Sequence, residues 1–465
     1  MAQALYSQLR DKRVLVAGAG ITGVACAHAL SRKGGMVTIV DESVTEVEGF
    51  IVLTPVAVTI NDFDLLLISP GWREDHPLVT RARDAGLSLI NEIDFAWSVK
   101  DPAQKWIALT GTNGKTSTVE LSAQMLRSGG HRAIACGNVG TTVIESVESS
   151  EKYDYLVLEL SSFQLHWMED PSFVAVAILN IAEDHVDWHG TFDAYAADKI
   201  SILDKSTTAI LNGDDGEIVS RTSHWQGRKV FFSLDTPAPG QIGVVEELLI
   251  DRAFVADPQE AEMISELNEV KPTVPHNVSN ALAAAGLART VGVGHEEIRQ
   301  AIVAFTPGKH RIEKVLEKDG ITWINDSKAT NPHAAAASIM SALSVVWIAG
   351  GLAKGATMGE LVERVKARVK VAVLIGTDQE LIAQEIRKQA PHIEIVAIQT
   401  PSNYVKGGSN NSLMEEVVRV AASRAQSGDT VLLAPACASM DQFISYSDRG
   451  DRFSAAVEKV VGNGR

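Results

Sequence analysis

The sequence predicts an α/β protein built from parallel sheets and divided into about three domains, at roughly 150 residues per domain. Its 465 residues can bury several separate cores. Short apolar segments alternate with longer helix-like segments along almost the whole chain. Three predicted strands run directly into a glycine-rich turn and then a helix, so each starts its own parallel unit. We place the domains at residues 1–100, 101–306 and 307–465.

Composition excludes several classes of protein. The 42 basic and 58 acidic residues give a formal net charge of −16, whereas nucleic-acid binding needs a basic face. No apolar run reaches the roughly 18–20 residues that span a bilayer, and the first residues lack the apolar core of a secretion signal. The three cysteines lie far apart and suit buried, reduced thiols. We expect a cytoplasmic enzyme that binds neither nucleic acid nor membrane, and we expect a monomer.

The first glycine turn predicts nucleotide binding. A strand at Arg13–Ala17 leads into Gly18-Ala-Gly20-Ile-Thr-Gly23, and such glycines let a phosphate approach a helix N-terminus. Asp41 follows the next strand, Met36–Val40, where an acidic residue can bind a ribose hydroxyl. Read alone, this is the pattern of a nicotinamide dinucleotide site. A close-packed turn without a ligand is the alternative.

The second glycine turn predicts ATP binding more specifically. A strand at Lys105–Leu109 precedes Gly111-Thr-Asn-Gly114-Lys115-Thr116, and a helical pattern follows at Val119–Arg127. Backbone amides of such a loop bind phosphates, the lysine reaches the outer phosphates and the threonine hydroxyl binds magnesium. Leu109 stands where the standard phosphate loop has its first glycine. The alternative is a glycine turn with a solvated lysine.

Acidic and imidazole groups follow the next strands. Glu159 lies in the apolar strand Tyr155–Leu160, and His185 follows the strand Val174–Leu179. Because ligands gather at the carboxyl ends of parallel strands, both side chains are expected near the phosphate loop. A glutamate in a strand is costly to bury unless it is paired or bound to a metal. An edge residue facing water is the alternative.

The spacing of His185 and His189 invites a zinc interpretation, which we reject. Residue 186 is Val, so the glutamate base of the zinc-protease motif is missing. Lys199 lies further along, on the predicted helix Phe192–Leu203. Taken alone, such a lysine is usually solvated.

The last part of the chain collects polar residues near the ends of apolar strands. A third strand, Val345–Ala349, runs into the glycine turn that precedes Lys354. The polar residues are His310, Arg311, Asp326, Lys328, Thr330, Asn331, Lys354, Ser439, Asp448, Arg449 and Asp451. Together they suit an anionic small molecule, although each alone is more often a helix cap or a surface pair.

These motifs, in this order, resemble the Mur ligase family. The segments that carry the resemblance are TGTNGKTST, LELSSFQL, NIAEDHVDWHG, HNVSNALAA, KHRIE, NDSKATNPHA and APACASMDQF. These segments lie in the second and third predicted domains, and the last two favour the member that adds D-glutamate. The resemblance extends to the first domain through its glycine turn, Thr22 and Asp41. Folylpolyglutamate synthases share the central chemistry but typically lack the N-terminal nucleotide domain.

The resemblance implies an ATP-dependent amide ligase of peptidoglycan synthesis. Its substrates would be ATP, UDP-N-acetylmuramoyl-L-alanine and D-glutamate, joined through an acyl phosphate. It also implies a Rossmann-like N-terminal domain, a central P-loop ATPase-type sheet and a Rossmann-like C-terminal domain. Two Mg²⁺ ions are expected, and Lys199 matches the family's carbamylated lysine. A bare ammonium beside magnesium is repelled, and the neutral amine can take up carbon dioxide.

The resemblance also assigns residues, position by position. The catalytic residues would be Lys115, Glu159, His185 and Lys199. Mg²⁺ would be bound by Thr116, Glu159, His185 and Lys199. ATP would be bound by Gly111, Thr112, Asn113, Gly114, Lys115, Thr116, Ser117, Asn277, Asn280, Arg311 and Asp326. The UDP substrate would contact Gly20, Ile21, Thr22, Asp41, Ser69, Gly71 and Asn138. D-Glutamate would contact Lys328, Thr330, Lys354, Ser439 and Tyr446.

Two residues depart from the family pattern, and two other function classes stay open. Tyr446 stands where a phenylalanine is familiar, and Glu42 stands where a small hydroxyl residue is expected. The first alternative function is a nicotinamide-dependent oxidoreductase based on the first glycine turn. The second is a non-catalytic protein gated by ATP.

Overall fold

The fold is α/β and contains three sheets. It is known from a computed structural model that describes residues 9–257 and 259–462. Contacts divide the chain into two compact units. The first unit comprises the chain up to Ile181 together with Phe192–Thr273 and Asn277–Phe305. The second comprises Ala182–Thr191, Val274–His276 and the chain from Thr306 onward.

The first sheet has five parallel strands. They are β1 (Arg13–Ala17), β2 (Met36–Val40), β3 (Ile51–Leu53), β4 (Leu65–Ile68) and β5 (Ser88–Asn91). Their order is β3-β2-β1-β4-β5, with helices α1 (Ile21–Arg32), α2 (Pro77–Asp84) and α3 (Glu92–Val99). β1 and β2 have the predicted bounds. β4 is apolar throughout and buried along its length, as expected of an inner strand covered on both faces.

The second sheet, also in the first unit, has nine strands. They are β6 (Lys105–Thr110), β7 (Ala133–Gly137), β8 (Tyr155–Glu159), β9 (Val176–Ile178), β10 (Thr208–Asn212), β11 (Arg228–Phe232), β12 (Ile242–Val245), β13 (Leu248–Asp251) and β14 (Glu262–Glu266). Their order is β14-β13-β12-β11-β10-β9-β6-β8-β7, and only β12-β13 and β13-β14 are antiparallel. The phosphate-loop strand β6 is therefore central.

Helices cover both faces of the second sheet. They are α4 (Lys115–Ser128), α5 (Val143–Glu148), α6 (Ser162–Trp167), α8 (Phe192–Ile200), α9 (Gly216–Arg221), α10 (Pro275–Thr290) and α11 (His295–Ala304), whereas α7 (Val186–His189) belongs to the second unit. One apolar core is continuous between the first two sheets, and another lies under α10 and α11. α4 begins earlier than predicted because its polar first turn, Lys115–Thr118, carries no apolar period.

The third sheet has six strands in the second unit. They are β15 (Glu313–Lys318), β16 (Ile321–Asn325), β17 (Val345–Gly350), β18 (Val369–Ile375), β19 (Glu394–Ala397) and β20 (Thr430–Leu433). Their order is β15-β16-β20-β17-β18-β19, with only β15-β16 antiparallel. Its helices are α12 (Pro332–Met340), α13 (Gly359–Val365), α14 (Gln379–Gln389), α15 (Ser412–Arg424) and α16 (Tyr446–Val457). Apolar cores cover both faces.

Small differences from the predicted elements lie at their ends. β6 and β17 each extend one residue further than predicted, whereas β9 is shorter at both ends. The helix predicted at Phe192–Leu203 ends at Ile200 and continues as a 3-10 turn at Ser201–Lys205. Apolar content alone does not show where the hydrogen-bond ladder of a strand stops.

Candidate functional site

The phosphate loop joins the central strand β6 to α4. Gly114 has a φ of 82°, and a Cβ there would lie 2.3 Å from Asn280 Oδ1. A side chain is therefore excluded both by backbone conformation and by contact with α10. Thr112 N–H donates to Asn180 O over 2.9 Å, and Asn113 N–H donates to Asn180 Oδ1 over 2.7 Å. Asn180 therefore fixes the loop, which lies at the N-terminus of α4, a position suited to anion binding.

Two lysine ammonium groups meet at the start of this loop. Lys115 Nζ donates to Gly111 O over 2.7 Å and to Thr112 O over 2.9 Å. Lys199 Nζ donates to the same Gly111 oxygen over 2.9 Å, and its side chain is only 1% exposed. It also lies 4.7 Å from the centre of the Tyr195 ring. A solvated position for Lys199 is therefore wrong.

Glu159 is the last residue of β8 and is 2% exposed, so an edge position facing water is also wrong. Its Oε1 accepts a hydrogen bond from Asn138 Nδ2 over 3.0 Å. Its Oε2 is buried with no hydrogen-bond partner within the described ranges. A buried carboxylate oxygen without a donor has the chemistry of a cation ligand.

The residues beside the phosphate loop fit magnesium better than a metal that needs a full protein cage. No group of three His, Cys, Asp or Glu side chains placed to hold a metal occurs in the portion of the chain the structure describes. Mg²⁺ is commonly bound through one or two carboxylates together with substrate phosphates and waters. Glu159 and the hydroxyl of Thr116, in the first turn of α4, suit that mode.

Hydrogen bonds to Asp41 stabilise the glycine turn of the first sheet. The Asp41 carboxylate accepts backbone N–H bonds from Ala19 over 2.8 Å and from Ser43 and Val44 over 2.9 Å. Burial works to raise the pKa of this carboxyl, but these donors outweigh it and hold the pKa below its usual value. A Cβ on Gly23 would lie 1.8 Å from Gly18 O, so this glycine allows α1 to approach the turn.

The remaining first-sheet residues surround the same turn. Ile21 is 81% exposed, Gly20 and Gly71 are exposed, and Thr22 is half-buried. The hydroxyl of Ser69 is buried beneath the turn with no partner in the described residues. Glu42, the residue that departs from the family pattern, lies 3.2 Å from His76 Nε2. Asn138 differs from this group because its side chain is bonded to Glu159.

The second unit contains an open polar cleft. Its lining includes Asp184, His185, Thr330, Asn331 and Lys354. Asn331 Nδ2 donates to Asp184 Oδ2 over 3.4 Å, and Asp184 Oδ2 lies 3.8 Å from His185 Nε2. His185 and Lys354 have φ values of 52° and 50°, a left-handed conformation that is uncommon for residues other than glycine. The predicted His185, Thr330 and Lys354 are therefore brought together.

Lys328, Tyr446 and Ser439 also lie in the second unit. Lys328 Nζ is 4.1 Å from the centre of the Tyr446 ring, a cation–π geometry. Tyr446 starts α16, and its carbonyl accepts a hydrogen bond from Ser327 Oγ over 2.7 Å. Ser439 is 3% exposed and follows a loop in which Leu352 and Ala438 exchange two backbone hydrogen bonds of 2.9 Å. Tyr446 thus has a defined ring contact.

The residues predicted for the nucleoside of ATP are divided between the units. Asn280 lies against Gly114, and Asn277 Nδ2 donates to Pro272 O over 3.0 Å. Asp326 belongs to the second unit with Arg311 and accepts a hydrogen bond from Ile312 N–H over 3.3 Å. Burial raises the pKa of Asp326 to about 6, and Arg311 opposes that shift.

Comparison with known proteins decides the family. A family model described as Mur ligase middle domain matches residues 109–288, and one described as Mur ligase, glutamate ligase domain matches residues 310–437. A relative from Thermobifida fusca named UDP-N-acetylmuramoylalanine--D-glutamate ligase is 43% identical, covering 98% of this chain and 100% of the relative. A relative of the same name from Streptomyces coelicolor is 42% identical, covering 98% and 99%. The chain belongs to the Mur ligase family.

Solved structures of Mur ligases share the fold. UDP-N-acetylmuramate-alanine ligase MurC from Thermotoga maritima gives a TM-score of 0.59 at 18% identity, covering 96% of this chain and 99% of that one. MurF ligase from Thermotoga maritima in complex with ADP gives 0.57 at 16% identity, covering 98% and 96%. Membership confirms the resemblance found in the sequence and counts against the nicotinamide oxidoreductase.

Sequence reasoning missed two residues that contact the phosphate loop of this Mur ligase. Asn180 accepts a hydrogen bond from Asn113 N–H in the loop. The Tyr195 hydroxyl lies 2.8 Å from Thr112 Oγ1, within hydrogen-bonding distance, and the Tyr195 ring contacts Lys199. Both had a signal in the sequence. Asn180 directly follows a strand within the NIAEDH segment, and Tyr195 precedes Lys199 by four residues on one helix face.

Within residues 9–257 and 259–462, no helix has both the length and the apolar character needed to cross a bilayer.

Proposed function

We propose that this chain adds D-glutamate to UDP-N-acetylmuramoyl-L-alanine with conversion of ATP to ADP and phosphate, a step of peptidoglycan synthesis. The observation that carries the proposal is the identity of 42–43% over essentially the full length with relatives named UDP-N-acetylmuramoylalanine--D-glutamate ligase. ATP phosphorylates the alanine carboxylate, the amine of D-glutamate attacks the acyl phosphate, and phosphate leaves as the amide forms.

The proposal includes the domain assignment. Residues 1–100 would form a Rossmann-like domain for the UDP substrate, and residues 101–306 a P-loop ATPase-type domain. Residues 307–465 would form a Rossmann-like domain for D-glutamate. The parallel core strands of each sheet and the glycine turns after β1, β6 and β17 support this division. We propose a cytoplasmic monomer.

Bringing three anions together is the main electrostatic problem of this reaction. Two unit charges of one sign 4 Å apart repel by about 4 kcal/mol at an effective dielectric of 20. The ammonium groups of Lys115 and Lys199 both lie within hydrogen-bonding distance of Gly111 O, at the entrance of the phosphate loop. That of Lys115 would stabilise the phosphates of ATP, with Gly111–Ser117 supplying backbone donors and Asn277, Asn280, Arg311 and Asp326 binding the nucleoside.

Magnesium is part of the proposal. Thr116 and Glu159 would bind one ion, which would supply charge neutralisation for the transferred phosphoryl group. The unpartnered Oε2 of Glu159 supports this assignment. A second ion, for which the resemblance names His185, stays a prediction.

Carbamylation of Lys199 is proposed on its surroundings. The side chain is almost fully buried, and its Nζ lies 2.9 Å from Gly111 O at the start of the phosphate loop. The amine nitrogen would form a bond to carbon dioxide and lose a proton, and the resulting carbamate would be an anionic ligand. Asn138 and the first-sheet residues would bind the UDP substrate, and the hydrogen bonds of Asp41 support a role in shaping the glycine turn.

In the second unit, D-glutamate would be bound by the five residues that the resemblance names. Lys354 and Thr330 line the polar cleft with His185, and Lys328 is held against Tyr446. The ammonium groups of Lys328 and Lys354 would bind the carboxylates of D-glutamate, leaving its amine as the nucleophile. Ser439 would add a hydrogen-bond donor.

The test is ADP release by purified protein supplied with UDP-N-acetylmuramoyl-L-alanine and a single amino acid. Turnover with D-glutamate but not with L-glutamate is expected. Turnover with another amino acid alone would assign the chain to a different Mur ligase activity. Tight NADH binding that uridine nucleotides do not displace would favour the oxidoreductase. Unchanged activity in both Lys199→Ala and His185→Ala would favour a non-catalytic ATP-gated protein.

A further inference from the structure

Arg449 is a charged side chain buried completely in the second unit. It lies in the first turn of α16 and is 0% exposed. It forms no ion pair with a carboxylate in the described part of the chain, and its hydrogen bonds go to a hydroxyl and to backbone carbonyls. Burial lowers the pKa of its guanidinium to about 10, so the side chain is still a cation at neutral pH.

The guanidinium connects three separate loops. Nε donates to Ser327 Oγ and Nη2 to Ser327 O, both over 3.0 Å. Nη1 donates to Cys437 O over 3.1 Å and to Gly350 O over 3.4 Å. These acceptors follow or end strands β16, β20 and β17. One rigid fork therefore fixes the spacing of three strand ends.

The same three loops carry the residues proposed to bind D-glutamate. Ser327 directly precedes Lys328, Gly350 opens the turn to Lys354, and Cys437 is two residues before Ser439. Ser327 Oγ, which accepts from Arg449, also donates to the carbonyl of Tyr446.

A stabilising role alone is a poor explanation for Arg449. A buried ion costs several kcal/mol to desolvate, and replacing buried charges by apolar residues is often neutral or stabilising. Only arginine supplies five donors in a fixed plane, which lets one side chain hold carbonyls from several segments. The hydrogen bonds of the Arg449 guanidinium are suited to fixing the relative positions of the loops it connects.

We propose that Arg449 is a positioning residue that fixes the three loops binding D-glutamate relative to one another. This inference rests on the proposed function, since it is the D-glutamate assignment that gives the loops their role. Arg449 would not touch the substrate; it would act through Ser327, Gly350 and Cys437.

The test compares kinetic constants of three variants. Arg449→Lys keeps the charge but cannot reach all three loops, and we expect a KM for D-glutamate raised roughly tenfold or more, as for a binding site displaced by fractions of an ångström. Ser327→Ala removes one acceptor and should raise the same KM by a smaller factor. The KM for UDP-N-acetylmuramoyl-L-alanine should not change in either variant.

Arg452→Lys is the matched control. Arg452 lies on the same helix and donates to Gly408 O, Asn410 O and Asp448, but it holds none of the three loops. Its KM for D-glutamate should equal that of the wild type.

The outcomes separate the two proposals. A wild type without D-glutamate turnover would overturn the proposed function and this inference with it. An active wild type with an unchanged D-glutamate KM in Arg449→Lys, or with equal increases for all substrates, would overturn the positioning role alone. If Arg449→Lys does not fold, Ser327→Ala decides in the same way.

Discussion

Replacing Glu92 by glutamine should stabilise the protein above neutral pH. Glu92 begins α3, between the first two sheets, and is 1% exposed. Its Oε1 accepts a hydrogen bond from Ile144 N–H over 3.2 Å, whereas its Oε2 is buried without a partner in the described residues. Burial raises the pKa of this carboxyl to about 7, and the backbone donors only partly oppose it.

The sign and size follow from the two pKa values. Between the ordinary value of 4.5 and about 7, the folded state binds more protons than the unfolded state. The free energy of unfolding therefore falls as pH rises through this window. The full shift corresponds to about 3 kcal/mol by linkage, all of it lost above pH 7. Glutamine has the same shape and does not ionise, so Glu92→Gln should lack this loss.

The measurement is the free energy of unfolding in urea between pH 5 and pH 8, for wild type and Glu92→Gln. The difference in unfolding free energy between the two proteins reports on Glu92 alone. Asp94, a second buried carboxyl on α3, is present in both; burial raises its pKa to about 6. The variant should gain stability over the wild type as pH rises. Glu46→Gln, which alters an exposed carboxyl, is the control. Parallel pH profiles for wild type and Glu92→Gln would refute the reasoning.

Three further substitutions test the proposed site. Lys199→Ala should lose most of its activity and recover part of it when formate or acetate is added. Lys205→Ala, which removes a lysine nearby in the sequence, should stay active. Failure of formate and acetate to restore activity would count against the carbamate. Asn180→Ala removes two side-chain hydrogen bonds to Asn113 in the phosphate loop and should raise the KM for ATP roughly thirtyfold, at about 1 kcal/mol per bond; an unchanged KM would contradict its role. Tyr446→Leu should raise the KM for D-glutamate about fivefold by removing the ring under Lys328, whereas Tyr446→Phe should not; equal effects of both would exclude the ring contact.

Much of the fold follows from local sequence. β1 and β2 have the predicted bounds because each is a continuous apolar segment ended by a turn. The three glycine turns were found because a strand, a tight turn and a helix follow one another within a few residues. The order of strands in each sheet could not be derived in this way, since pairing depends on contacts between distant segments. The placement of Ala182–Thr191 in the second unit also depends on contacts between distant segments, so it could not be derived from local sequence.

Some residues of the candidate site could likewise be predicted from local sequence, and others could not. The phosphate loop was predicted from its own residues, because its chemistry is local. Lys199 and Glu159 could only be weighed against solvated alternatives, since burial of a lysine or a glutamate is set by the surrounding structure. The resemblance to a family supplied what the spacing could not. Arg449 was visible only as one of several charged residues near the C-terminus, and its contacts reach Ser327, more than a hundred residues earlier.

How a cation is held determines what it can do for an anionic substrate. Arg452, on α16, lies 2.7 Å from the Asp448 carboxylate, so its charge is largely cancelled. Arg449, on the same helix, is held by carbonyl dipoles, and Lys328 is held by the face of the Tyr446 ring. Dipoles and ring faces orient a cation without neutralising it. In a chain with a net charge of −16, the ring partner leaves the charge of Lys328 available where an amino acid with two carboxylates would bind, whereas the buried Arg449 acts through the loops it holds.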